Sequence, residues 1–168
     1  WVWLRENPAG WRIRDKGLEI RVEPGVADTV KNALLRPVPA GDDGPLAFEV
    51  TVSNLATPTR QFEQLGITWY AGGKPVFKLV KELIDGRTYI IPGRKPVDDV
   101  PIRLRLVVDG RHWTAQYRPA GETDFRTAAE GQLPPADNDQ VSLQCYQGPD
   151  DAEHWMRFED FRILRLAR

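Results

Sequence analysis

The sequence predicts an all-β sandwich, and three observations carry that expectation. Turn signals recur about every ten residues along the whole chain. The runs between them are rich in Val, Ile, Thr and aromatic residues, which suit a pleated, half-buried surface. Most of those runs also alternate apolar with polar side chains, as a strand with one buried face requires.

The turn signals come first. They are Asn7-Pro8-Ala9-Gly10, Pro24-Gly25, Gly41-Asp42-Asp43-Gly44, Gly72-Gly73, Asp85-Gly86, Pro92-Gly93, Asp109-Gly110, Ala120-Gly121 and Gly148-Pro149-Asp150. Asp-Gly and Gly-Gly between two β-prone runs signal tight hairpins, because these residues accept the positive φ the turn needs. Between the turns, Leu18-Glu19-Ile20-Arg21-Val22-Glu23 alternates without a fault, and Phe48-Glu49-Val50-Thr51-Val52 repeats the pattern. Ile102-Arg103-Leu104-Arg105-Leu106 leads through Asp109-Gly110 into Trp113-Thr114-Ala115-Gln116-Tyr117-Arg118. Val141-Ser142-Leu143-Gln144-Cys145 follows, and Phe158, Phe161, Ile163 and Leu164 fit a last strand with one irregular step, a bulge. Lys78-Leu79-Val80-Lys81-Glu82-Leu83-Ile84 is the ambiguous run. Its apolar spacing and Gly86 suit a helix, with Lys81 breaking a strand's alternation, but its place between two hairpin turns favours a strand.

Composition narrows the function classes. The 168 residues are 41% hydrophobic and 28% charged, which excludes a disordered chain and a membrane span. A net charge of −1 provides no basic field for phosphates, so no nucleic acid partner is expected. The single cysteine, Cys145, excludes an intramolecular disulfide and a cysteine cluster for zinc. One free thiol suits the cytosol and a well-cored secreted domain alike, so the compartment stays open. The chain begins at Trp1, as a processed protein or a piece of a longer one would.

An ordered series of segments adds a resemblance. Asn32-Ala33-Leu34-Leu35-Arg36-Pro37, Phe48-Glu49-Val50, Gln64-Leu65-Gly66-Ile67-Thr68-Trp69-Tyr70 and Val76-Phe77-Lys78-Leu79-Val80-Lys81-Glu82 come first. Ser142-Leu143-Gln144-Cys145-Tyr146 and Arg157-Phe158-Glu159-Asp160-Phe161-Arg162-Ile163 close it. From about Trp11 to Leu166 the series is similar to the DUF1349 group of the concanavalin A-like lectin/glucanase superfamily. The resemblance implies one domain over residues 1–168, a jelly-roll sandwich of two curved antiparallel sheets. Related domains follow the catalytic propeller of some β-xylosidases, and a yeast relative is described as regulating enolase. The superfamily hosts glycosidases, lyases, lectins and modules without known ligand, so it leaves function open.

The catalytic patterns of that superfamily are incomplete here. Its glycosidases carry Glu-x-Asp-x-(x)-Glu on one strand, because alternate residues share a face and two carboxylates must flank the bond. Glu122-Thr123-Asp124 is followed by Phe125, Arg126 and Thr127, so the second glutamate is missing. Glu19 and Glu23 share a face but stand about 13 Å apart, too far for paired chemistry. Lys16-Gly17-Leu18-Glu19-Ile20-Arg21 is a faint version of the Arg-x-Glu-Leu-Arg strand of jelly-roll alginate lyases. Their Gln-x-His is absent, and only His112 and His154 could serve a lyase. Cys145, in an alternating strand, reads as a small buried hydrophobe. No cofactor is expected. The acidic clusters Asp42-Asp43, Asp137-Asn138-Asp139 and Asp150-Asp151 leave a structural Ca²⁺ as an alternative.

A binding face can be read more directly. If Leu65, Ile67 and Trp69 point inward, Gln64, Thr68 and Tyr70 point outward, with Gly66 leaving a gap among them. Lys78, Val80 and Glu82 then share that face, as do Ser142, Gln144 and Tyr146. The resemblance makes this the concave, sugar-binding face. His154 and Trp155, preceding the last strand, are expected at its rim. Amides, charged groups and flat aromatics suit a hydroxyl-rich ligand. The leading reading is a non-catalytic carbohydrate-binding domain that takes a glycan or another small polar ligand. A protein-interaction or regulatory module of the same fold is the alternative, followed by a divergent glycan hydrolase or lyase.

Overall fold

The structure is a computed structural model that describes residues 1–40 and 44–167. The chain forms β1 (Val2–Leu4), a short 3-10 turn (Pro8–Gly10), β2 (Trp11–Arg14), β3 (Gly17–Val22), β4 (Ala33–Pro37) and β5 (Leu46–Asn54). The central hairpins are β6 (Gln64–Ala71), β7 (Lys74–Ile84), β8 (Arg87–Ile91) and β9 (Lys95–Pro96). Then come β10 (Ile102–Asp109), β11 (His112–Pro119), β12 (Arg126–Gln132), β13 (Asp139–Tyr146) and β14 (His154–Arg165). They build two seven-stranded sheets, in the order β1-β4-β13-β6-β7-β8-β9 and β12-β11-β10-β5-β14-β3-β2.

The expected strands are present. The ambiguous run is part of β7, and its Lys81 does not break the alternation. It points inward opposite Leu65 and Ile90, almost fully buried, and its ammonium reaches Asp99 Oδ1 (2.6 Å) and the Val100 carbonyl (3.2 Å). Burial pushes the Lys81 pKa down, and Asp99 opposes that shift. The irregular step in the last strand is a register shift between Glu159 and Arg162, with Asp160 at φ 53°.

Alternation buries one face of each sheet against the other. Leu65, Ile67, Trp69, Leu79 and Leu143 from the first sheet meet Phe48, Val50, Leu104, Leu106 and Phe158 from the second. Each such side chain contributes about 1.5–3 kcal/mol on burial. Phe48 and Trp69 add an edge-to-face contact with ring centroids 5.5 Å apart. Cys145 lies in this core, and burial pushes its thiol well above the ordinary range, which suits packing rather than reactivity. Gly66 permits the close approach of β6 and β7. A Cβ there would lie 2.2 Å from the Leu79 carbonyl oxygen.

The outer face of the second sheet carries an ordered set of charges. Glu19 on β3 accepts from Arg12 on β2 (2.5 Å) and Arg157 on β14 (3.1 Å). Burial alone would raise the Glu19 pKa, but these arginines outweigh it and hold the carboxyl below its ordinary value. Glu49 on β5 is held by Arg103 (2.8 Å) and Arg105 (3.1 Å) of β10.

Candidate functional site

The outer face of the first sheet assembles seven of the nine residues expected to bind a ligand. Strand alternation on β6, β7 and β13 turns Gln64, Thr68, Tyr70, Lys78, Glu82, Gln144 and Tyr146 away from the core, as their registers require. They are not free, however. All but Lys78 are buried, because the segment joining β3 to β4, residues 23–32, lies over part of the face and the side chains bond to one another.

Two hydrogen-bonded groups result. In the first, Tyr70 Oη donates to the Ala27 carbonyl of the covering segment (3.0 Å) and stands 2.9 Å from Gln144 Oε1. Gln144 Nε2 donates to the same carbonyl (3.2 Å), and Ser142 Oγ donates to Gln144 Oε1 (2.7 Å). Burial raises the Tyr70 pKa, so the phenol stays a donor. In the second, Lys78 Nζ donates to Gln64 Oε1 (2.7 Å) and Glu82 Oε2 (3.1 Å), while Gln64 Nε2 donates to Glu82 Oε1 (3.0 Å). The Lys78 ammonium also lies 5.9 Å from the Tyr146 ring centroid. Burial, with Glu82 and Tyr70 nearby, raises the Tyr146 pKa far above the ordinary value, so this phenol too keeps its proton.

Beside the second group a pocket of about 380 Å³ remains. Thr68, Lys78 and Tyr146 supply its polar lining, and Phe77, Trp113, Ile91 and Pro92 much of its apolar wall. Phe77 and Trp113 are in ring contact, with centroids 4.5 Å apart. Thr68 Oγ1 is buried and has no hydrogen-bond partner among the described residues. Mostly apolar walls around a few placed polar groups are the usual make-up of a small-molecule site.

His154 and Trp155 lie elsewhere. They do not precede the last strand but open it, and β14 belongs to the second sheet. His154 is buried at the sandwich end with its Nδ1 2.7 Å from Glu63 Oε1. Trp155 sits on the second sheet's outer face, under the Arg12 guanidinium at 3.9 Å from its ring centroid. The rim expected from these two residues is therefore not formed by them.

Other sequence candidates also find places. Glu122 pairs with Arg126 at 2.6 Å on an exposed turn. Asp139 accepts from the Trp69 indole (3.0 Å) and pairs with Arg111, and Asp150 lies 3.4 Å from Arg60. Asp42-Asp43 fall outside the described residues. Among the described residues no group of three or more His, Cys, Asp and Glu is placed to hold a metal ion.

Sequence reasoning missed Tyr89, Phe77 and Trp113. Tyr89 pairs with Glu82 across the Asp85-Gly86 hairpin and shares its outward face. That turn alone, read as a two-residue hairpin, pairs Glu82 with Tyr89. No local signal brings Trp113 of the second sheet beside Phe77 of the first.

No family model and no curated protein matches the sequence. Solved structures do. The GH43 protein BlXynB of Bacillus licheniformis has a TM-score of 0.74 at 15% identity, covering 94% of this chain and 35% of that one. The alginate lyase from Klebsiella pneumoniae gives 0.66 at 10% identity, over 96% of this chain and 86% of the other. A functionally unknown protein from Saccharomyces cerevisiae gives 0.63 at 10% identity, over 99% and 97%. The fold is a jelly-roll sandwich of two antiparallel sheets. This jelly roll spans about a third of the GH43 chain, 35%, and most of the lyase. At these identities the fold is what the chains share.

Proposed function

We propose that this jelly roll, of the DUF1349 kind and acting as one domain over residues 1–168, is a non-catalytic carbohydrate-binding domain whose ligand sits in the pocket beside Lys78. The observation that supports this most is the make-up of that pocket. Phe77, Trp113, Ile91 and Pro92 offer apolar surface for the C–H face of a sugar, while Thr68 brings a buried hydroxyl without a partner. Lys78 has three N–H donors and commits two of them to Gln64 and Glu82, so one is left for a ligand hydroxyl. The ammonium charge is balanced by Glu82, and among the described residues no other lining residue is charged. A neutral saccharide therefore fits better than a uronate. Hydrolysis with paired carboxylates finds no support in this lining, which holds no Asp or Glu among the described residues, and neither His112 nor His154 lies in it.

The test is calorimetry and thermal unfolding with neutral β-1,4-linked xylose and glucose oligomers beside alginate oligomers. A neutral oligomer at 100 times its Kd should stabilise by about 2.7 kcal/mol, or about 5–10 °C. Tyr146→Phe, which keeps the ring and removes a donor, should weaken binding by about tenfold. A flat response to every oligomer refutes the reading.

A protein-interaction role is the second reading. It is supported by Ile13, 66% exposed in the lining of the aromatic cleft of Trp3, Trp11 and Phe161. Ile13→Lys abolishing capture of a partner, with saccharide binding absent, would favour it.

A further inference from the structure

We infer that the pocket receives the end of a saccharide chain and not its interior; the inference rests on the carbohydrate reading above. A chain bound by an interior stretch must leave the site in two directions. Here one direction is closed by the protein's own backbone. The segment over residues 23–32 crosses the outer face where β13 and β6 lie, and Ala27 is both a lining residue of the pocket and the acceptor for Tyr70 and Gln144 beneath it. Those two side chains are 1% and 0% exposed, so the ground beyond Ala27 is sealed.

The wall is fixed on both flanks. Arg5 Nε donates to the Val30 carbonyl (2.6 Å), and Asn32 Oδ1 accepts from the Asn7 amide (2.7 Å). On the other side the Gln147 amide donates to Gly25 O and the Gly148 amide to Glu23 O, both at 2.9 Å. Within the segment, Thr29 and Val30 amides return to the Val26 carbonyl (3.0 and 2.9 Å), and Val30 is buried. A segment tied at this many points is a standing wall. Of the other lining residues, Thr68 of β6 and Tyr146 of β13 lie nearest Ala27, while Pro75 to Lys78 on β7, Ile91 closing β8 and Pro92 after it lie on the side of the sheet away from the covered β4 edge. The volume, about 380 Å³, is near the lower end of small-molecule pockets and suits a short terminal unit.

The decisive experiment titrates the 168-residue protein with methyl xyloside and methyl glucoside and with their β-1,4-linked oligomers of about two to six units, recording affinity and stoichiometry by calorimetry. Terminal recognition predicts that affinity is reached by the disaccharide and changes less than about threefold to the hexasaccharide, with one protein per chain. An affinity that climbs more than about threefold beyond the disaccharide, or more than one protein per hexasaccharide, overturns terminal recognition while leaving the carbohydrate reading intact. Absence of binding by every member removes both. Replacing residues 25–31 by a short glycine linker supplies an independent arm. It should open the covered ground, so that the hexasaccharide then binds more tightly than the disaccharide; equal affinities in that variant, if it folds, count against the wall.

Discussion

Glu63 tests the buried polar chemistry of this sandwich most sharply. Its side chain is wholly buried immediately before β6, with Oε1 2.7 Å from His154 Nδ1 and Oε2 accepting from the amides of Thr59 (2.8 Å) and Arg60 (3.3 Å). Glu63→Ala removes the partner of all three groups at once. Losing one member of a buried pair costs about 3–5 kcal/mol, and the residual exposure of His154 and the long Arg60 contact argue for the lower end, about 3 kcal/mol. At this chain length that is about 6–12 °C in Tm. The assay is urea unfolding at pH 7, reading the midpoint and slope, for Glu63→Ala, Glu63→Gln, His154→Ala and the double alanine variant. Glu63→Gln retains an acceptor for the two amides and should lose about half as much. The cycle should return a coupling of at least about 1 kcal/mol between the two side chains. A loss below about 1 kcal/mol in Glu63→Ala, or no coupling, would refute the assignment of stability to this cluster.

Three further outcomes are expected. Thr68→Val removes a buried hydroxyl without a partner, so it should leave the fold intact or up to about 1 kcal/mol more stable, yet weaken saccharide binding about tenfold; unchanged affinity by calorimetry would remove Thr68 from the site. Gly66→Ala forces a Cβ to within 2.2 Å of the Leu79 carbonyl, so β6 and β7 must separate at a cost of about 2–3 kcal/mol, and an unchanged thermal midpoint would contradict that contact. The lowered pKa of Glu19 makes its contribution complete above the unfolded value of 4.5 and progressively lost as pH falls through the folded value. Glu19→Gln should therefore flatten the acid limb of stability against pH in urea titrations, and an unaltered limb would show that Arg12 and Arg157 do not hold it.

The strands were legible because period-two alternation and Asp-Gly or Gly-Gly turns are local properties, as in residues 18–23 and around Asp109-Gly110. The outward face was legible for the same reason, since Trp69 inward forces Thr68 and Tyr70 outward. Its burial was not. The path of residues 23–32 over Tyr70 and Gln144 has no periodic signature and depends on backbone carbonyls, which every sequence carries. His154 and Trp155 were misplaced because sheet membership is topology: β14 joins the second sheet between β5 and β3, however its first residues read. Lys81 looked like a fault in a strand because its inward place depends on Asp99, which lies 18 residues away.

The charges on the second sheet's outer face also serve as a ruler for strand alignment. A slip of two residues keeps every apolar side chain facing the core, so hydrophobic burial alone does not forbid it. In the native alignment Arg157 stands opposite Glu19, Trp155 opposite Arg21 and Arg12 opposite Glu19. Moving β3 by two residues toward one end would set Arg157 and Arg12 both against Arg21 and bring Glu159 against Glu19, three like-charge pairs against one new opposite-charge pair, Arg14 with Glu19. The arginine and glutamate order thus supplies the discrimination that the greasy interior lacks, and it does so beside the sheet edge, where β2 is paired on one side only.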